Sequence, residues 1–389
     1  MSALPRSLLI TAATSTLLAG APVMAGSLDD PAHYLFVPNR ASADIAVIDT
    51  RTDRVVTRLP VGNVPHQVAI SDVAGKLIAS NTADDTISIV DLATLHTTTL
   101  DLDHEPEHMA LAPDGRLLAV GNIAAGTVSL VSLEGEPRER ARVAGLFDPH
   151  NLTFSPDGAL LYVANLGANH VSVVDVDAGA IAKEIPVVEE VRVATLSTGA
   201  DAEFQGIINV TPTLDGRLGF AAHGEGNLLA VLDLVAGDPV KSLALGALPW
   251  RAYATADDRY MLVPNNGDAT LSVISVADLE VVATLPGAAD VTGVNTGWFE
   301  TTAFALSRAE RTAVVYDLDD LERVGEIALP GTPETGVTTP DGRKLYVALS
   351  DTDQVAVIDT RERRLIATIE GVGDEPWGVT MVGAINYCH

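Results

Sequence analysis

The chain has 389 residues and a formal net charge of −28, with 52 acidic against 24 basic side chains. That balance argues against nucleic acid and anionic membrane surfaces as partners. The single cysteine excludes an internal disulfide and a C-x-x-C-H site for covalent c-type haem. Beyond the N-terminal segment no stretch reaches about 18 uninterrupted apolar residues, so the mature chain is expected not to be membrane-embedded.

From the N terminus, Arg6 precedes the apolar run "SLLITAATSTLLAGAPVMA", and Val23-Met24-Ala25 offers small residues at the offsets a signal peptidase uses. Residues 1–25 are therefore expected to be a secretory leader, with a periplasmic or secreted mature chain of residues 26–389 forming a single domain. Next comes "YLFVPNRASADIAVIDT" at Tyr34, an apolar run, a small polar turn and an alternating run ending near Asp. The same hairpin returns as "KLIASNTADDTISIVDL" at Lys76, "RLLAVGNIAAGTVSLVSL" at Arg116, "LLYVANLGANHVSVVDV" at Leu160, "YMLVPNNGDATLSVISV" at Tyr260 and "KLYVALSDTDQVAVIDT" at Lys344. Period-two alternation of Val, Ile, Leu and Tyr predicts strands, and no segment sustains a helical period.

Aligned, the units start at His66, Glu107, His150, Ile208, Trp250, Val291, Glu334 and Trp377, with most steps 41 to 43 residues. Four short strands per unit at that spacing predict propeller blades, each covering its neighbour's face. The chain begins mid-blade and ends with "PWGVTMVGAINYCH", an inner-strand sequence. The expectation is an all-β, eight-bladed propeller closed by pairing of the N- and C-terminal strands. Seven blades is the alternative, because the unit from Val291 to Pro333 lacks the "PDG" turn.

The hairpins quoted above resemble the YVTN-type propeller repeat, over nearly all of the mature chain. The eight-blade count and the leader are similar to the haem-binding propeller of cytochrome cd type nitrite reductases and their periplasmic relatives. The cytochrome c module of the full reductase is missing. This resemblance implies a ligand site at the channel mouth, with non-covalent haem as one candidate ligand.

In a propeller the loop entering each inner strand and the loop joining the second and third strands share one face. Two repeat positions there vary. After a recurrent proline stand His66, Glu107-His108, His150, Trp250, Glu334 and Trp377. His108 falls one residue later than His66 and His150, so its side chain is expected to point inward only if the extra residue turns it. Five second strands end in Asn39, Asn81, Asn122, Asn165 and Asn265, an expected turn residue bonding its own backbone. In the fifth unit His223 replaces it, a swap from which a turn gains nothing.

His66, His108, His150 and His223, with Glu107, are thus the candidate metal ligands, suiting copper, zinc or iron. Solvated loop histidines and a metal-free acid–base role are the alternatives. Arg40, Arg251 and Arg308 fall in mouth loops of the first, sixth and seventh units, a cationic edge expected to face the histidines across the ring. That edge suits an anionic ligand, or pairs with local carboxylates. The insertion Val187–Gly206 enters the same face, as a lid or a neutral loop. Cys388 and His389 form a possible second metal site, or a tail plugging the lower channel. The function expected is a periplasmic metal- or haem-binding propeller in redox chemistry or cofactor handling, with a possible redox partner. The alternatives are a metal-free scaffold binding a protein or glycan, and a lactonase-like hydrolase using Glu107 or Glu334 with a metal-bound water. Catalytic residues are not identifiable from sequence.

Overall fold

A computed structural model describes residue 28 and residues 30–188 and 206–384. The expected leader, most of the insertion and the Cys388-His389 pair lie outside the described residues. The rest forms eight four-stranded antiparallel sheets. The one helical element among the described residues is a 3-10 turn, Pro31–His33. No described helix is long and apolar enough to cross a membrane.

Alternation dictates the burial. Second and third strands such as Tyr34–Asn39 and Asp44–Asp49 are buried along nearly their whole length, while fourth strands such as Arg138–Ala144 alternate between exposed and half-buried positions until a buried residue, here Val143, near their end. Among the described residues each of the eight seams between neighbouring blades holds an apolar cluster. Phe36, Val47, Leu77 and Val90 join blades 1 and 2, for example, and Phe304, Val315, Leu345 and Ile358 join blades 7 and 8. A blade alone would leave both faces wet. Only the closed ring covers them.

Closure is as the sequence implied. Thr380–Met381 pairs antiparallel with Tyr34–Asn39, and Trp377 donates its backbone N–H to the Pro38 carbonyl at 3.0 Å. Leu35 and Ile48 of blade 1 pack with Val337, Tyr346 and Val357 of blade 8, and Val379 and Met381 complete that cluster. A polar clasp spans the same seam, in which Lys344 Nζ bonds Asp53 at 2.7 Å and the Tyr346 hydroxyl bonds Asp53 at 2.5 Å. The irregular unit after Val291 is a full blade, so the count is eight. In place of the "PDG" turn it has Trp298, Phe299 and Glu300 in succession at φ of 48°, 58° and 60°.

Every inner strand carries one extra residue at its start. Pro106 pairs with Asn122 and Met109 with Val120, so Glu107 and His108 together oppose Gly121 alone. Pro65 to Val68, Pro149 to Leu152 and Pro333 to Gly336 repeat this shift. Such a bulge re-aims side chains and ends regular pairing. Here it does so at the channel mouth of each blade.

Candidate metal centre at the channel mouth

The bulge explains which side chains meet. With two residues opposing one, both positions after the proline flank the channel. His66-Gln67, Glu107-His108 and His150-Asn151 are equivalent pairs, and the extra residue of the bulge lets His108, the second of its pair, reach the channel as His66 and His150 do from the first. It is 1 % exposed and its Nε2 lies 3.1 Å from His150 Nε2. His66 and Glu107 approach at 3.3 Å, and His108 Nε2 stands 3.8 Å from the same Glu107 oxygen. Ligand atoms of His66, Glu107 and His108 lie within 4.8 Å of one another. His150 adjoins this group through His108, their ring centroids 4.0 Å apart.

Hydrogen bonds assign the protons. His150 Nδ1 faces the Ile208 carbonyl at 3.1 Å and must donate to it, which leaves Nε2 bare in the neutral ring. Burial, helped by the nearby Arg251 charge and partly offset by the Ile208 bond, lowers the His150 pKa to about 3, so the ring is neutral near pH 7. His108 therefore supplies the hydrogen in the 3.1 Å contact. The Arg40 guanidinium donates to His66 Nδ1 at 3.2 Å, so a neutral His66 carries its hydrogen on Nε2, towards Glu107. Burial, with the Glu105 charge adding to it and Arg40 opposing, pushes the Glu107 carboxyl up to about 7.

Arg40 stands beside the histidines, not across the ring from them. Its guanidinium stacks over the Trp377 ring at 3.8 Å and bonds His66, because blades 1 and 2 are neighbours. Arg251, 2 % exposed, flanks the cluster on the His150 side. Arg308 is engaged elsewhere, in a 2.8 Å ion pair with Asp290, and stands 3.8 Å from Glu334. Glu334 also accepts the Ser350 hydroxyl.

His223 has another partner set. Its Nδ1 accepts the Gly226 N–H at 2.9 Å and its Nε2 faces Asn169 Oδ1 at 3.0 Å. The asparagines it replaces bind the third strand of their hairpin more than their own backbone. Asn81 donates to Thr86 and Ser88, and Asn265 to Thr270 and Ser272. In blade 5 those hydroxyl positions are Leu228 and Ala230. An asparagine there would find no hydroxyl, whereas the imidazole closes the turn through Gly226, so the swap does serve a turn. The missing hydroxyls were the signal available in the sequence.

Below the bulges the inner strands enclose a channel cavity of about 580 Å³, lined by residues that directly follow the histidines, Gln67, Met109 and Asn151 among them.

The YNCE-like beta-propeller model matches residues 69–385. No curated protein matches the chain. Among solved structures, dihydro-heme d1 dehydrogenase NirN in complex with DHE is similar at a TM-score of 0.74 and 16 % identity, over 94 % of this chain and 78 % of that one. Hydrazine synthase of Kuenenia stuttgartiensis aligns at 0.57 and 21 % identity, over 76 % and 95 %. A functionally unknown protein of Desulfotomaculum acetoxidans aligns at 0.60 and 13 %, over 90 % and 98 %. These likenesses concern the fold. The chain belongs to the YNCE-like beta-propeller family.

Proposed function

We propose that this propeller is an exported metal-binding protein whose ion is held at the channel mouth by His66, Glu107 and His108, with His150 as the adjoining donor. The donor spacing carries the reading. Ligand atoms around a tetrahedral ion bound at 2.0–2.1 Å are separated by about 3.3 Å, and here they stand 3.1, 3.3 and 3.8 Å apart. Buried imidazoles with one carboxylate suit zinc, copper or iron. Such an ion would supply Lewis-acid or redox chemistry at the mouth. It would displace the hydrogens now on His66 Nε2 and His108 Nε2. Arg40 opposes it, since its donation to Nδ1 competes with the N–H that a metal-bound imidazole carries there.

Non-covalent haem is the second reading, favoured by the propeller fold shared with a protein solved in complex with DHE. It fits these side chains less well. A macrocycle held by one of these imidazoles would need open space beside it, whereas the ring centroids of His66, His108 and His150 stand 5.1 and 4.0 Å apart.

Metal analysis and a visible spectrum of the protein, exported and purified without chelator, test the reading. One equivalent of metal is expected, lost on His66→Ala, Glu107→Ala or His108→Ala and kept on His96→Ala. A metal-free protein, or equal occupancy in all four variants, would contradict it. Intense haem bands would favour the second reading.

A further inference from the structure

Arg40 spends its guanidinium on an imidazole, although arginine side chains suit carboxylates best. Arg40 and Arg308 occupy the same repeat position, directly after the second strands Tyr34–Asn39 and Thr302–Ser307. Their backbone N–H groups donate to equivalent carbonyls, that of Glu375 at 2.9 Å and that of Asp290 at 3.0 Å. In blade 7 the same Asp290 also takes the guanidinium, its carboxylate 2.8 Å from Arg308. In blade 1 Glu375 gives Arg40 its carbonyl and no carboxylate. Among the described residues Arg40 forms no ion pair, and its side chain bonds His66 Nδ1 at 3.2 Å and stacks on Trp377.

This bond cannot survive an ion on His66 Nε2. The neutral ring then carries its hydrogen on Nδ1, facing the guanidinium donor. Glu107, whose charge Arg40 eases, is drawn to the ion as well. The stack on Trp377 does not involve His66, so the guanidinium stays at the mouth. Arg40 and Trp377 are half-buried and the Glu107 side chain is 20 % exposed, which leaves this side of the mouth open to solutes. With three side chains bound, a tetrahedral ion keeps one position free.

Building on the metal reading above, we infer from this geometry that the mouth binds a small carboxylate together with its ion. One carboxylate oxygen takes the free position on the ion, and the other accepts from the guanidinium released by His66. Ion and guanidinium stand roughly 7 Å apart, of which a metal–oxygen bond spans about 2.1 Å and a charge-assisted N–H···O bond about 2.8 Å. About 2 Å remains, the separation of the two oxygens of one carboxylate. A halide offers a single atom and cannot serve both. Ion and carboxylate each favour the other's binding by the same factor.

Competition for zinc against a chromophoric chelator tests this, using the full-length protein in sodium perchlorate, sodium acetate or sodium chloride at equal ionic strength, corrected for zinc held by the salt itself. Acetate should raise zinc affinity about ten- to a hundredfold over perchlorate, as a hydrogen bond to a charged group does, and chloride should raise it little. Arg40→Met should erase the acetate effect, and Arg40→Lys should keep part of it. In perchlorate Arg40→Met should bind zinc more tightly than the parent, and in acetate that gap should narrow. Zinc binding indifferent to acetate, chloride acting as strongly as acetate, or the full acetate effect in Arg40→Met would overturn the inference and leave the metal reading standing. A protein that takes up no zinc in any of the three salts sinks both. Should Arg40→Met fail to fold, the comparison of acetate with chloride on the unmodified protein decides.

Discussion

Arg40→Met should tighten metal binding at the channel mouth. The guanidinium NH2 stands 3.2 Å from His66 Nδ1, and an ion on Nε2 at the usual 2.0–2.1 Å lies roughly 7 Å from that charge. Coulomb's law then gives about 5 kcal/mol of repulsion for a divalent ion at an effective dielectric of 20, and about 1 kcal/mol at 80. Removing the charge should raise affinity by roughly fivefold at the weaker figure and by up to several thousandfold at the stronger. Freeing Nδ1 acts in the same direction, since the metal-bound ring can then keep its proton there. Methionine retains an apolar cover for Trp377, which Arg40 now stacks upon at 3.8 Å. Competition for zinc against a chromophoric chelator, parent beside variant, reads the change. Equal or weaker binding by Arg40→Met would refute the reasoning. A haem propionate or another anion held by Arg40 predicts the opposite sign, with ligand affinity falling in the variant.

Three other expectations rest on separate observations. Ending the chain after Glu375 removes Val379 and Met381 from the seam between blades 1 and 8 and opens the edge of Tyr34–Asn39. At about 1.5–3 kcal/mol per buried side chain this should destabilise the ring and promote aggregation, and an unchanged urea midpoint with a monodisperse elution profile would contradict it. His150 is held neutral with its pKa lowered to about 3, so the unfolded chain takes up that proton first on acidification and the folded state loses stability as pH falls from about 6.5 towards 3. Glu107, raised to about 7, works oppositely, its contribution being full below about 4.5 and lost as pH rises through 7. Urea midpoints between pH 4 and 8 should therefore fall less steeply on acidification in His150→Gln and rise less in Glu107→Gln, and parallel profiles would contradict the assignments. His223→Asn should lower the melting temperature without changing metal content, and adding Leu228→Thr with Ala230→Ser should restore it by rebuilding the hydroxyl pair seen at Thr86 and Ser88. Loss of metal in His223→Asn would place that imidazole in the centre after all.

The ring was legible because each blade repeats one alternation, and because the inner-strand sequence after Pro376 has its partner in the hairpin at Tyr34–Asn39. The mouth was legible only by position. Side-chain period cannot reveal a bulge, so Glu107 and His108 read as out of step when the extra residue in fact aims both at the channel. Arg40 was placed across the ring because its unit was counted from its own hairpin. The loop between its second and third strands instead lies against the inner-strand start of blade 2, at His66. His223 misled because one residue was read without the hydroxyls five and seven positions on, which decide what an asparagine there can bind.

Anomalous diffraction at the metal absorption edge, on crystals of the protein purified from its native host without chelator, addresses the metal site itself. The account predicts one strong peak among His66, Glu107 and His108, within about 2.0–2.2 Å of at least three of their ligand atoms or those of His150. An empty cluster with Arg40 still bonded to His66, or a peak confined to another part of the molecule, would contradict it.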